Sequence, residues 1–327
     1  TGTAWNNDYG SQIVSPAYNP DGVPETFTQN ELNRIYLMWR QVAEDFAPFN
    51  VDVTTEDLTN PNDLAVDPIA RESSGDPLFG TRVVITQNTF SNCGCGGFAY
   101  LKSFDDYGTY TNYLKPAFVF NASVVGAGEA ISHEVGHNLG LKHDGQTNGT
   151  GYYEGHGSGA TGWAPIMGVG YYRELVQWSM NTYPLANQPQ NDIADIQYYG
   201  APLMTDDHVD NMSNIQDVTT MTVTDSGILD QLDAYGLIHL QSDQDMFKFD
   251  AAAGSYSISI QPDDISPNLD IEVSLYNSGG GLLQSNNGAE ILSASLSGNF
   301  THPGTYFIKV NGVGKGDPLN GGYPDYG

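Results

Sequence analysis

The chain has 327 residues, 39 % of them hydrophobic and 11 % aromatic, which is enough for two domains with packed cores. Asp and Glu total 39 against 11 Lys and Arg, a formal net charge of −28, which argues against nucleic acid and anionic membranes as partners. The sequence holds no apolar run of about 18 residues, so no helix is expected to span a membrane.

The sequence begins at Thr1 with no signal peptide, and any export segment is expected to be removed already or to lie outside it. Residues 28–46 read as a helix. Thr28 and Glu31 make a capping box, and Leu32, Ile35, Trp39, Val42, Ala43 and Phe46 recur at helical spacing until Pro48. Short strands are expected at 51–55, 82–87, 98–101 and 117–122, with a polar, Pro-containing loop over 56–71. Residues 1–27 carry no strong strand pattern. Cys93 and Cys95 are the only cysteines, too few for a disulfide framework. They are either free thiols or, in an oxidising compartment, a local bridge. Helices follow at 128–139 and 191–197, so residues 1–203 read as a domain of mixed α and β.

Residues 204–217 are acidic and polar, and read as a linker. All four Trp precede them. From about residue 218 apolar and polar residues alternate in runs split by Gly, Pro, Asn and Asp, as in Tyr256-Ser-Ile-Ser-Ile and Tyr306-Phe-Ile-Lys-Val. Residues 218–327 are therefore expected to form an all-β sandwich or jelly roll. The fold class is α+β followed by this second domain.

The chemistry is concentrated in Ser132-His-Glu-Val-Gly-His-Asn-Leu-Gly-Leu-Lys-His-Asp144. His133 and His137 are one helical turn apart and about 40° apart in azimuth, so both can bind one zinc ion. Glu134 sits beside that metal without having to bind it. On a continued helix His143 would be rotated roughly 240° from His137 and would miss the site. The helix must therefore break, and Gly140 supplies the residue that can adopt a left-handed conformation there. Three neutral histidines leave a fourth position for water, the layout of a catalytic zinc site.

This motif resembles that of the metzincin metallopeptidases, and Asp144 directly after the third histidine resembles the adamalysin or reprolysin subtype. The resemblance covers roughly residues 28–200. It implies a Met-turn beneath the zinc, matched by Trp163-Ala-Pro-Ile-Met167-Gly, and a buried, hydrogen-bonded Asp144 near that turn. It also implies that Gly97, Phe98, Ala99 and Tyr100 belong to a cleft-rim strand that pairs with substrate backbone. Position 169, a zinc-binding Tyr in some relatives, is Val here. Tyr171 and Tyr172 follow, and either one can line the specificity pocket or stabilise an oxyanion. His156 reads as a loop residue.

The C-terminal segment resembles the bacterial pre-peptidase C-terminal domain through Asp243-Gln-Asp-Met-Phe247, Pro267-Asn-Leu-Asp270 and Gly304-Thr-Tyr-Phe-Ile-Lys-Val310. Such modules accompany secreted proteases and are often cut off. Asp206, Asp207 and Asp210 cluster at the expected junction and suit a hard cation such as calcium. Together these readings imply a secreted, monomeric zinc endopeptidase of bacterial type acting on proteins or peptides, with Glu134 as general base. Two alternatives are a non-enzymatic adhesion module with a vestigial metal site, and a peptidase specific for glycoproteins.

Overall fold

Thr28 caps the first long helix as its sequence announces: its hydroxyl accepts from the Glu31 N–H while the Glu31 carboxylate accepts from the Thr28 N–H. The computed structural model describes residues 3–10, 12–23, 26–55, 79–106, 113–223 and 231–324. The loop expected at 56–71 lies outside the described residues. The elements of the first half are α1 (Ala4–Tyr9), α2 (Gln29–Asp45), β1 (Val83–Ile85), β2 (Gly97–Phe98), β3 (Ala117–Val119), α3 (Val124–Asn138), β4 (Trp163–Pro165), β5 (Leu175–Gln177) and α4 (Asp192–Tyr198).

Strands β1, β3 and β2 form one sheet in that order, with β1 parallel and β2 antiparallel to β3. Among the described residues β2 is therefore an edge. Helices α2 and α3 pack together, and Val42, Phe46, Val135, Leu139, Met167 and Trp178 share a core. Residues 51–55 are not a strand, contrary to their alternating pattern. The Val53 carbonyl instead accepts from the Trp39 indole at 2.6 Å, which spends it on α2 rather than on a ladder. Helix α1 is not evident from periodicity. It forms because Thr3 caps it and because Trp5, 2 % exposed, inserts among Phe90, Phe98, Tyr100 and Phe118.

The second half contains β6 (Thr219–Thr220), β7 (Thr222–Val223), β8 (Leu232–Asp233), β9 (Gln244–Ala251), β10 (Gly254–Ile260), β11 (Ile271–Asn277), β12 (Leu282–Asn287), β13 (Ala294–Phe300) and β14 (Gly304–Gly312). A five-stranded sheet runs β12-β11-β14-β9-β6, and β10 pairs with β13. Period-two burial makes the sandwich. Phe247, Phe249, Val273, Leu275, Ile308 and Val310 face the β10–β13 pair through Leu296 and Ala294. The opposite face of the sheet, with Met246 and Phe307, is covered by Val209, Met212 and Val218. Part of the acidic segment 204–217 thus packs on the sandwich, and the Met246 N–H donates to the Val209 carbonyl at 3.1 Å.

Candidate metal centre

Helix α3 starts four residues earlier than its periodicity suggests, because the Ser123 hydroxyl caps it by accepting from the Gly126 N–H at 3.1 Å. His133 and His137 project from one face, their ring centroids 4.9 Å apart. The helix ends at Asn138. Gly140 has φ +87°, its N–H donates to the His137 carbonyl, and the Leu141 N–H donates to the Gly136 carbonyl, both at 2.9 Å. These two bonds are the paired closure of a helix terminated by a left-handed residue. The chain then reverses and returns His143 to within 4.7 Å of the His137 ring and 5.2 Å of the His133 ring, centroid to centroid.

The backbone also sets the imidazole tautomers. His133 Nδ1 donates to the Ile166 carbonyl at 2.9 Å, and His137 Nδ1 donates to the Leu141 carbonyl at 2.8 Å. Each neutral ring then keeps its Nε2 lone pair for a metal. The Nε2 atoms of His137 and His143 lie 2.9 Å apart, and one ring nitrogen from each of the three histidines lies within 4.8 Å of the others. Desolvation pushes His133 down to about 3, helped by the neighbouring His137, and His143 down to about 4. The rings are therefore neutral at ordinary pH, as ligands must be. Three convergent lone pairs on neutral rings fit a zinc ion.

Glu134 is 5 % exposed, its Oε2 has no hydrogen-bond partner, and burial pushes its carboxyl up to about 8. Gly97 on the β2 edge lies against it, so closely that a Cβ there would be 2.5 Å from Glu134 Oε1. The Tyr171 hydroxyl sits over Gly96 in the same way, and the charge on Glu134 helps raise its pKa behind the larger effects of burial and Glu129. Tyr172 is 71 % exposed. Phe98 and Tyr100 turn their rings to Trp5 at 5.2 and 4.4 Å, so these side chains join the α1 cluster, and the Tyr100 hydroxyl donates to Asp8. Ala99 is half-buried beside them. Cys93 and Cys95 are disulfide-bonded just before the β2 edge.

Met167 is fully buried beneath α3, and a Cβ on Gly136 would be 2.5 Å from its sulfur. The Asp144 N–H donates to the Met167 carbonyl at 2.8 Å, and Asp144 Oδ1 accepts from the Tyr183 hydroxyl at 3.2 Å. Burial pushes the Asp144 carboxyl up to about 7 against the opposing pull of Tyr183 and Ser179. Tyr152 was not singled out by the sequence, since it belongs to no motif. Its ring lies 4.3 Å from that of His143 and 6.1 Å from that of His133. His156 is more than a loop residue: one ring nitrogen meets the Tyr153 hydroxyl at 2.7 Å, and the other donates to the Gly322 carbonyl at 2.6 Å.

A second cluster lies where residues 206–210 meet the start of β9. Asp206, Asp210 and Asp243 form one group, and Asp207, His208 and Asp245 form another, each with its ligand atoms within 4.8 Å. Asp243 and Asp245 are 4 % and 2 % exposed, and Oδ1 of each lacks a partner. Burial, and then the charges of Asp207, Asp243, Asp206 and Asp210, push Asp245 up to about 8.

Residues 49–144 match the family described as metallo-peptidase family M12B, reprolysin-like, and residues 243–312 match the bacterial pre-peptidase C-terminal domain. The first match ends at Asp144, so it includes all three histidines and stops short of the Met167 turn. No curated protein matches the chain significantly. With the histidine triad, these two matches identify the chain as a zinc metallopeptidase that has a reprolysin-like domain and a pre-peptidase C-terminal domain.

Proposed function

We propose that the chain is a secreted endopeptidase in which His133, His137 and His143 hold zinc and Glu134 is the general base. The observation that carries this reading is Glu134 itself, buried, unpartnered at Oε2, and one residue from a metal ligand. A zinc ion at the triad supplies Lewis-acid polarisation of the scissile carbonyl and acidifies water. The charge of a cation at the triad would draw the buried Glu134 carboxyl back to its ionised form, and Glu134 then takes the water proton at Oε2 and delivers it to the leaving amine. An extended substrate adds to the edge of β2 that no described strand pairs with, where Gly97 permits close approach beside Glu134. Tyr171 lines the cleft over Gly96, whereas exposed Tyr172 has at most a peripheral role. Met167 and Asp144 support the ligands from below.

Secretion is supported by the disulfide, which needs an oxidising compartment, and by the C-terminal domain type. No described helix is long and apolar enough to cross a membrane. The domain division proposed is 1–203, 204–217 and 218–327. Asp206, Asp207 and Asp210, completed by Asp243 and Asp245, are proposed to take calcium, because the two buried carboxylates each keep an oxygen without a partner.

The test is cleavage of casein and of a mixed peptide library by the full chain, with fragments identified by mass spectrometry. Internal cleavage that a chelator abolishes and zinc restores is expected. Release of single terminal residues, or activity untouched by chelation, contradicts the proposal.

A further inference from the structure

The C-terminal sandwich is anchored to the peptidase half by a buried polar plug. Asn268 lies in the loop before β11 and is 7 % exposed. Its side-chain amide nitrogen donates to Asp45 Oδ1 at 3.0 Å, and its backbone carbonyl accepts from the Gln177 side chain at 2.6 Å. Asp45, 2 % exposed at the end of α2, accepts through its other oxygen from the hydroxyl of Ser132, which is 0 % exposed. Ser132 immediately precedes His133 on α3. Gln177 in turn accepts from the Trp163 indole at 2.9 Å, on the strand that leads into Met167. One asparagine of the sandwich therefore reaches both the helix that carries two of the histidines and the strand pair beneath the site.

The surrounding interface is of two kinds. Leu292 and Tyr323 of the second half share an apolar core with Tyr153, Trp163, Leu175 and Tyr183. At the rim, Arg40 pairs with Asp263 and Asp264, each at 2.7 Å. Rim ion pairs contribute little. Buried polar groups differ, because removing one partner leaves the other desolvated and unpaired. Without Asn268, Asp45 keeps a charged or protonated oxygen with no partner and is free to rotate away from Ser132.

We infer that Asn268 is a positioning residue of the peptidase, acting through Asp45 and Ser132 on the orientation of the histidine helix, and that the sandwich is a working part of the catalytic unit. This rests on the reading of that helix as the catalytic centre. It gives the sandwich a role beyond that of a module that is often cut off.

The experiment uses the full, zinc-loaded chain and a fluorogenic peptide, comparing wild type, Asn268→Leu, Ser132→Ala, the double variant and Arg40→Ala. Asn268→Leu is expected to lower kcat at least fivefold, with zinc content and KM unchanged. The double variant should fall no lower than the worse single, because both act through Asp45. Arg40→Ala should keep kcat within twofold. A wild-type kcat in Asn268→Leu, or losses that multiply in the double variant, overturns the inference. A wild type lacking zinc-dependent cleavage defeats the peptidase reading instead. If Asn268→Leu does not fold, a foreign protease site inserted between Ser213 and Asn214, both exposed, lets the folded chain be cut. Halves that co-elute, or that separate with loss of kcat, support the inference. Halves that separate freely while the N-terminal half keeps full kcat overturn it.

Discussion

His137 and His143 meet through their Nε2 atoms at 2.9 Å, while His137 Nδ1 is already committed to the Leu141 carbonyl at 2.8 Å. His137 Nε2 is therefore an acceptor. A zinc ion would be held through the Nε2 lone pair of His137 together with a ring nitrogen of His143 and of His133. His143→Ala is expected to weaken zinc binding by at least about tenfold, equivalent to about 1.4 kcal/mol, and competition with a chromophoric chelator measures it. Unchanged affinity would mean that the third ligand lies elsewhere.

Gly140 makes that meeting possible, and two effects hold glycine there. Its φ of +87° strains a residue with a Cβ by about 1–3 kcal/mol. A Cβ would also lie 2.4 Å from the Tyr199 ring. Asn tolerates the backbone but not the contact, so Gly140→Asn is expected to lose zinc affinity, though less than Gly140→Val. Adding Tyr199→Ala should restore much of the loss in the Asn variant and little in the Val variant. Equal zinc affinity in all the variants contradicts this account of the turn.

The buried carboxyl of Asp45 sets a pH dependence of stability. Burial pushes it up to about 7, outweighing its hydrogen bonds from Ser132 and Asn268. A raised folded pKa means that the native state holds a proton the unfolded chain has released. Stability contributed by this group is greatest below about pH 4 and is lost as pH rises to about 7. Burial moves Asp144 in the same direction. The melting temperature is expected to fall between pH 5.5 and 8, and Asp45→Asn, which cannot ionise, should reduce that fall. An identical slope in the variant would count against the assignment.

Calcium should act at the other cluster. Asp245, pushed up to about 8 by burial and four neighbouring carboxylates, must lose its proton to bind a cation, so affinity should rise from pH 6 to pH 8. At about 100 times its Kd, a bound ion adds about 2.7 kcal/mol of stability. Calorimetric melting of zinc-saturated protein should show a rise of several degrees with calcium, absent in Asp245→Asn. No shift at millimolar calcium removes the proposal.

The metal centre was largely legible in the sequence because its geometry is local. A four-residue histidine spacing, a glycine three residues later and a histidine three beyond it specify a helix, a stop and a return. Asp144 and Met167 come from the resemblance; in the structure both are buried, and the Asp144 N–H donates to the Met167 carbonyl. Strands β12 and β13 were not anticipated, since Leu-Leu-Gln-Ser-Asn-Asn and Ala-Ser-Leu-Ser-Gly-Asn-Phe carry few β-branched residues and owe their state to pairing with β11 and β10. The Asn268–Asp45 contact spans 223 positions. No local period records such a bond, and the sequence marks Asn268 only as part of the Pro267-Asn-Leu-Asp270 motif.

The most direct test of the account is Glu134→Gln, which keeps the side-chain volume and removes the base. Zinc content by atomic emission and kcat on a fluorogenic peptide should be measured on the same preparation. One zinc per chain is expected to remain, with kcat lower by about 100- to 10,000-fold. Retention of near-normal turnover, or loss of the metal along with the activity, would contradict the assignment of Glu134 as a general base that does not bind the metal.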